Sequence, residues 1–383
     1  MRRLIAIVAL IVASATFASA QAPASSARED LSSLPESQAI LFVNTRRITN
    51  EVLPRVVPAE KYQGAFDEAK RMANIDLREI DYLLAGVRLT DAPSSGTVPA
   101  EFGLIVRGGF NADALLSFVR LSQPGQYRDE TRAGKTITIF KVSFDNDTDK
   151  DKGAAANKDA ATAPKSELPS EIAAVALTAD SLLIGTPGYV AAALDARTGA
   201  STRVKPELVA LALANQDALV SIAGELPPSV SKYLDSPGDK AMTGDLFNEE
   251  MKRLIDSVRQ VQLSLNMNAA QYGAQVTLRT DMPENARAIS GLVAAGVNAA
   301  EEEARKAAAA HKGRVPPTQT QLLGLLRSLT NSVRDNELLL SISVPQTTAA
   351  AYAHQMFAPT PAPKKATARK TTRRGRKTTR RKA

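Results

Sequence analysis

The chain contains no cysteine and no tryptophan, and only two of its 383 residues are histidine. The absence of cysteine excludes disulfide bonds and thiol redox chemistry. His311 and His354 lie in separate alanine-containing segments, so they do not form a cluster that could bind a metal or activate a nucleophile. Catalysis by carboxylates alone remains open, but no pair stands out. We therefore predict a protein that is not an enzyme and has no cofactor or metal.

The N-terminus has the pattern of an export signal. Two arginines precede an apolar run at residues 4–13, and an A-x-A cleavage motif formed by Ala18 and Ala20 precedes Gln21. The apolar run is shorter than the roughly 20 residues that span a bilayer. We expect residues 1–20 to be removed, which predicts a periplasmic or extracellular protein without a transmembrane span.

The C-terminus is strongly basic and contains the hexapeptide RKTTRR twice. Residues 364–383 hold eleven basic residues and no acidic one, whereas residues 21–363 hold 35 basic and 40 acidic residues, a net charge of −5. The tail has no aromatic residue and no aliphatic residue larger than alanine, so we predict that it is disordered. Its basic residues, which we assign to polyanion binding, are Lys364, Lys365, Arg369, Lys370, Arg373, Arg374, Arg376, Lys377, Arg380, Arg381 and Lys382.

Such a tail predicts attachment to anionic polymers through release of their counterions, without sequence specificity. The expected partners are an anionic envelope polymer, an acidic lipid or extracellular nucleic acid, and the sequence identifies no small-molecule substrate. This favours an exported, envelope-associated or extracellular scaffold or binding protein. Two alternatives stay open. One is a carrier of an apolar ligand held between sheet and helices, and the other is a cytoplasmic nucleic-acid-associated protein whose signal is not cleaved.

The body of the chain shows an internal duplication. In the first half, "EIDYLLAGVRLT" and "EFGLIVRGGFNADALLSFV" read as two strands and a helix, and "VRQVQLSLNMN" and "QYGAQVTLRTDMPENARAISGLV" repeat this order in the second half. The flanking segments also correspond. The predicted fold is α+β, with two tandem repeats of β-α-β-β-α-β-β-α, in which Asn111 and Asn285 are candidate helix caps.

The repeats predict antiparallel sheets with helices on one face. In the segment at 258–267, Val261, Leu263 and Leu265 alternate with polar residues including Gln262 and Ser264, which predicts one apolar and one solvated side. Whether the two halves share one sheet stays open.

The predicted organisation is a signal peptide, a flexible linker, two lobes and a tail. The boundaries are 1–20 for the signal, 21–35 for the linker, 36–200 for the first lobe, 145–171 for a disordered loop within it, 201–357 for the second lobe, and 358–383 for a proline-rich and then basic tail.

Three short segments partly match known functional motifs. The aspartates that begin at Asp145 have the spacing of a calcium loop but lack its glycine and glutamate, and Ser229 to Lys232 matches S-x-x-K without the motifs that accompany it. Gly134-Lys135-Thr136 ends like a phosphate loop, but a strand follows it. We interpret the three as a solvated loop, a surface helix start and a hairpin turn.

The segments "LPESQAILFVNTRRI", "LREIDYLLAGV", "FGLIVRGGFNADALL" and "DSLLIGTPGYVAAALDA" together resemble a broad set of uncharacterised exported bacterial proteins with a duplicated α+β unit. The resemblance covers residues 35–357 and implies an architecture, but no reaction and no binding residues. The tail resembles the basic ends of linker histones in composition only.

Overall fold

The computed structural model describes residues 24–89, 100–122, 124–142, 169–215, 217–226, 249–310 and 324–349. The predicted export signal with its cleavage site, most of the loop at 145–171, both histidines and the whole basic tail lie outside these residues.

Twelve strands are described in this part of the chain, and all of them pair antiparallel. In chain order they are β1 (Ala39–Val43), β2 (Ile80–Leu89), β3 (Ala100–Gly108), β4 (Tyr127–Arg132), β5 (Lys135–Lys141), β6 (Glu171–Thr178), β7 (Ser181–Gly185), β8 (Ala218–Glu225), β9 (Val258–Met267), β10 (Gln271–Thr280), β11 (Thr330–Arg334) and β12 (Glu337–Pro345).

The helices lie before, between and after these strands. They are α1 (Ala24–Ser32), α2 (Thr45–Arg47), a π-helical turn (Ile48–Val52), α3 (Leu53–Val56), α4 (Ala59–Ala73), a 3-10 turn (Leu77–Glu79), α5 (Ala112–Ser122), α6 (Pro187–Thr198), α7 (Pro206–Ala212), α8 (Glu249–Ser257) and α9 (Pro283–Ala310).

The strands form one sheet in the order β11-β12-β10-β9-β8-β1-β2-β3-β7-β6-β5-β4. Outward from the centre, the first half has the order β1-β2-β3-β7-β6 and the second half β8-β9-β10-β12-β11, so corresponding strands occupy corresponding places. The hairpin β4-β5 extends only the first half. The mixed α+β fold with a large antiparallel sheet agrees with the sequence prediction.

The two halves meet at β1 and β8, which answers the question that the sequence left open. These strands pair antiparallel from Ala39 opposite Gly224 to Val43 opposite Val220, with Leu41 opposite Ile222 at the middle. Each half therefore contributes one strand to the centre of a continuous sheet.

Successive residues of a strand point to opposite faces of the sheet. We call the face of Ile40 and Leu84 face A, and the face of Leu41 and Leu83 face B. On face A, the central strands pack in one cluster with α1, α6 and α7, which contribute Leu31, Tyr189 and Leu208 among other buried residues.

On face B, two clusters hold other helices. Ile48 of the π-helical turn, Leu53 of α3 and Phe66 of α4 pack with Val43 and Leu83. A separate cluster joins α5 to β5, β6 and β7. The prediction of helices on one face is therefore wrong. The sheet carries apolar residues on both sides of its first half, so a single layer of helices would leave one side uncovered.

Helix α1 differs from the flexible linker expected at 21–35. Its residues Ala27 and Leu31 are buried, and Tyr82 donates a hydrogen bond of 2.8 Å to the carboxylate of Asp30. The apolar residues lie four positions apart and therefore share one helix face, which is the sequence signal for this helix.

The two asparagines predicted as caps behave differently. Asn111 accepts a hydrogen bond of 2.9 Å from the amide of Ala114 and caps α5, as predicted. Asn285 lies inside α9 and donates to Asp281 instead, because this helix begins two residues earlier at Pro283.

A row of glycines on face A receives the ring of Tyr189. A Cβ at Gly86 or Gly103 would overlap with this ring, and the hydroxyl of Tyr189 forms a hydrogen bond of 2.8 Å with Ser37. The glycines thus let an aromatic side chain of α6 lie directly on the backbone of β2 and β3.

We expect Gly103→Ala to lower the free energy of unfolding by about 1–3 kcal/mol, because the new methyl group overpacks against Tyr189. The control is Gly291→Ala on α9, where a Cβ meets no atom within 4 Å and helix propensity should raise stability by about 0.5–1 kcal/mol. Urea unfolding of the three proteins measures both changes. Equal stability of the Gly103→Ala variant and the parent would contradict the close contact.

Candidate functional site

The alternation along β9 has the predicted period but the opposite orientation. Gln262 and Ser264 are fully buried on face A, whereas Leu263 and Leu265 on face B are 38% and 45% exposed. On the neighbouring strand β8, Ile222 of face B is 42% exposed. The prediction that the polar side of β9 faces water is therefore wrong.

Hydrogen bonds explain why the polar side can be buried. Thr277 of β10 donates to the amide oxygen of Gln262 over 3.0 Å, and the amide nitrogen of Gln262 donates to Ser221 of β8 over 3.3 Å. Buried polar groups cost little when they are hydrogen-bonded. The ladder of Ser221, Gln262 and Thr277 satisfies its own members, so these groups do not need to face solvent, whereas the hydroxyl of Ser264 is buried without a hydrogen-bond partner among the described residues. The sequence shows the polar residues but not their cross-strand partners.

Face B carries a continuous apolar row across eight neighbouring strands. Each member lies directly opposite the next in the strand registers, and none of them is buried. We call this row the apolar strip, and its members are Ile184, Leu104, Ala85, Leu41, Ile222, Leu263, Val276 and Leu340. Because neighbouring strands are about 4.8 Å apart, its seven intervals span roughly 34 Å.

The strip consists of two corresponding halves that meet at the pair Leu41 and Ile222. By their places in the sheet, Leu263 of β9 corresponds to Ala85 of β2, and Leu265 corresponds to Val87. At these two positions the second half has leucine where the first half has alanine or valine. Its exposed side chains are therefore larger. Exposed aliphatic residues that are contiguous, rather than scattered, are typical of binding surfaces.

Helices cover parts of the strip, since Leu41 and Leu104 pack against the cluster that holds α3 and α4. At one end, Ile184 packs against the cluster of α5. At the other end, α9 lies over β11, where Ser290 donates a hydrogen bond of 2.8 Å to Asn331, the residue opposite Leu340. Along one side, Arg55 of α3 donates to Gln346, which follows β12. The open part of the strip is therefore the floor of a trough over β8, β9 and β10.

Two cavities lie away from the strip. One, of about 310 Å³, lies between α4 and α5 and is lined by Met72, Ile75, Leu115 and Phe118 among others. The other, of about 390 Å³, lies between α5 and the β4-β5 hairpin and is lined mainly by polar residues. Neither is lined by a residue of the apolar strip.

The titratable groups with shifted pKa values belong to ion pairs or to the core. Hydrogen bonds from Arg78 hold the pKa of Asp76 well below its usual range, and a hydrogen bond from Thr178 lowers the pKa of Asp180. Burial raises the pKa of Tyr82 to about 12. These groups stabilise turns and the docking of α1, and they do not surround a common cavity.

Within the described ranges, no group of three or more histidine, cysteine, aspartate or glutamate residues could hold a metal ion. No helix in the same part of the chain is long and apolar enough to cross a membrane.

None of the predicted site residues is among the described members of the strip. Ala18, Ala20, Gln21 and the eleven basic residues of the tail lie outside the described residues, as do the calcium-like loop and the S-x-x-K segment. Gly134 has φ +73° in the turn between β4 and β5, which confirms the hairpin interpretation. The alternation in β9 was the available signal for the strip, but it does not say which side is covered.

No protein-family model and no curated protein matches the chain. Among solved structures, crystal forms III and IV of a protein named TP0453 are similar to it, each with a TM-score of 0.38 and with 10% and 11% sequence identity. The matches cover 84% and 85% of this chain and 96% and 95% of TP0453. A similarity at this level carries no argument about function.

The inverted faces of β9 predict effects of different size for two neighbouring substitutions. Gln262→Leu should lower the free energy of unfolding by about 1–3 kcal/mol, because it leaves the hydroxyls of Ser221 and Thr277 without their partner. Leu263→Gln should change it by no more than about 0.5 kcal/mol, because the side chain is exposed. Urea unfolding at one pH compares the two variants. A larger loss for Leu263→Gln would mean that Leu263 lies in the core after all.

Proposed function

We propose that this protein is an exported, non-enzymatic binding and scaffold protein, and that the apolar strip is its binding face. The observation that carries the proposal is the exposure of Ile222, Leu263 and Leu265 side by side on two central strands. Aliphatic side chains left in water cost free energy that a bound partner recovers. A protein that only needed a stable sheet would have polar residues at these positions.

A non-enzymatic role is supported by the chemistry of the strip. Its eight members are aliphatic, so they offer no acid, base or nucleophile. Several charged groups elsewhere in the described residues form ion pairs, such as Arg107 with Asp30 and Asp180, or Arg259 with Asp281. These pairs position helices and turns, which is a structural role.

We propose that the two halves arose by duplication of one β-α-β-β-α-β-β-α unit. The equal strand order of the halves and the correspondence of Leu41 with Ile222 at their junction support this origin. The additional β4-β5 hairpin then represents an insertion in the first copy. A duplicated unit places two corresponding half-strips on one face, and the exposed aliphatic residues Ile222 and Leu263 belong to the second half.

The basic tail supplies the second part of the proposal, which is retention at an anionic surface. Eleven cations within residues 364–383 attract phosphates or carboxylates of an envelope polymer, an acidic lipid or extracellular nucleic acid. The body is mildly acidic, so attraction to a polyanion comes from the tail. In the proposed arrangement, the tail holds the protein in place and leaves the strip free to bind.

A carrier that holds an apolar ligand between sheet and helices is the second candidate. The apolar strip also favours it, because the strip lies on the floor between α3 and α9. A carrier encloses most of the surface of its ligand, however, and Ile222 and Leu263 of the strip are exposed to solvent. This openness favours a binding face for a partner that keeps one side in water.

A neutral, environment-sensitive dye such as N-phenyl-1-naphthylamine tests the strip, since the cationic tail does not attract it. We expect the intact protein to bind the dye with increased fluorescence. The double variant Leu263→Gln and Leu265→Gln should bind it about tenfold more weakly, because two aliphatic contacts are lost.

The control for this experiment is Leu121→Gln on α5, which replaces an exposed leucine that lies away from the strip. Dye binding by this variant should equal that of the parent. Absence of dye binding by the parent, or equal binding by the double variant, would refute the strip as the binding face.

Removal of residues 364–383 tests the tail separately. We expect the truncated protein to keep its unfolding midpoint, because the segment contributes no apolar core, and to lose its retention on immobilised DNA or lipopolysaccharide. Retention of the intact protein should fall steeply with added salt. A full-length control with the eleven basic residues replaced by glutamine should behave like the truncation, and salt-resistant retention of either variant would contradict the tether.

A further inference from the structure

The cavity between α4 and α5 lies where two apolar clusters of face B come together. Ile75, which follows α4, packs at the border of the cluster that contains Val43 and Leu83. Phe110 and Leu115 pack at the border of the cluster that joins α5 to β5, β6 and β7. Ile75, Phe110 and Leu115 all line the cavity of about 310 Å³. An apolar molecule in this cavity would therefore contact both clusters at once.

Aromatic rings and a thioether form much of the cavity wall. Met72 in the last turn of α4 is 43% exposed, and Phe118 of α5 is 47% exposed, and both line the cavity together with Phe110. Large apolar side chains that converge on a concave surface are typical of ligand sites. Ring surfaces and methionine sulfur make favourable contacts with aromatic groups. The wall therefore favours an aromatic ring as the apolar part of a ligand.

The polar groups of the cavity favour one negative charge. Arg71 is the charged member of the described residues that line it, and Asn74 and Asn111 are its amide side chains. Arg71 lies 3.7 Å from Glu68 in an exposed pair, which contributes little to stability, so its guanidinium can form a charge-assisted hydrogen bond with a carboxylate. The oxygen of Asn111 accepts from the amide of Ala114, so its nitrogen is the group that can donate to a ligand.

The volume of the cavity limits the size of the ligand. A water molecule in the liquid takes about 30 Å³, so about 310 Å³ corresponds to roughly ten non-hydrogen atoms. A phenyl ring joined to a carboxylate by a short chain has about this size. A long acyl chain exceeds it, and its many rotatable bonds would lose more freedom on binding than a rigid ring does.

We propose that the cavity between α4 and α5 binds a small aromatic carboxylate, with its ring among Met72, Phe110 and Phe118 and its carboxylate at Arg71. No residue of the apolar strip lines this cavity, so the assignment goes beyond the proposed function and does not depend on it. It gives face B a site for a small molecule in addition to the strip.

The absence of tryptophan from the chain provides a local probe. Phe118→Trp places the single indole of the protein at the cavity and keeps an aromatic ring there. The ligand is 3-phenylpropionate, which does not absorb where the indole is excited. The matched control is Leu292→Trp, which places the indole at an exposed position of α9 that lines neither cavity. This control separates binding in the cavity from attraction of the carboxylate to the basic tail.

We expect 3-phenylpropionate to shift the emission of the Phe118→Trp protein to shorter wavelength and to saturate with a Kd of about 0.1–1 mM. The emission of the Leu292→Trp protein should not change. The alcohol 3-phenylpropanol, which lacks the charge, should bind about two- to fivefold more weakly. 3-Cyclohexylpropionate, which keeps the charge and lacks the aromatic ring, should bind about two- to tenfold more weakly.

Two further substitutions test the named contacts in the Phe118→Trp protein. Arg71→Gln should lower the affinity for 3-phenylpropionate to that of the alcohol and leave the affinity for the alcohol unchanged. Ala114→Phe should fill the cavity and weaken both ligands at least about tenfold, and it should fold because Ala114 is exposed. Its control is Ala294→Phe, at an exposed position of α9, which should bind both ligands normally.

The unmodified protein gives a second measurement that does not depend on the new indole. Saturation-transfer NMR should detect binding through the ring protons of 3-phenylpropionate, and Ala114→Phe should remove the signal while Ala294→Phe keeps it. Absence of both the emission shift and this signal, or binding that Ala114→Phe does not weaken, would overturn the site. Equal binding of the acid and the alcohol, or of the phenyl and cyclohexyl acids, would overturn the assigned ligand class.

Discussion

The pairing of β1 with β8 is the constraint on which the rest of the structure depends. It joins the two halves through five residue pairs, and it places Leu41 beside Ile222 on face B and Ile40 beside Ala223 on face A. A shift of this register by one residue would exchange the two faces of one half relative to the other. The buried core of face A and the apolar strip of face B would then both be interrupted at the centre of the sheet.

Much of the fold could be predicted from the sequence because its signals are local. The alternating strands, the glycine turns and the asparagine cap at Asn111 depend on residues that are close in the chain, and the structure contains them. The continuity of the sheet depends on β1 and β8, which lie about 180 residues apart, and no local pattern encodes their register. Helix α1 was missed because its buried residues, such as Leu31, are separated by serine, arginine and glutamate, which resemble a linker in composition.

The candidate site could be predicted only in part. The sequence shows that Leu263 and Leu265 share one side of β9, but it does not show which side is covered. That choice depends on the partners of Gln262, which come from β8 and β10 and make the polar side suitable for burial. Hydropathy alone assigns the leucines to the interior, since it does not include hydrogen bonds between strands. Because the polar side of β9 is buried, its leucines lie on the exposed face and form part of the apolar strip.

The strand β4 ends the sheet on the side of the first half in the described part of the chain, and all six of its residues are exposed. A free strand edge can recruit strands from other molecules, and charged side chains oppose such growth. In β4, Arg128 pairs with Glu171 of β6 and Arg132 with Asp195 of α6, so the charges are fixed at the edge by neighbouring elements. A wide sheet with an exposed apolar face is thereby protected at this end from fibre-like polymerisation.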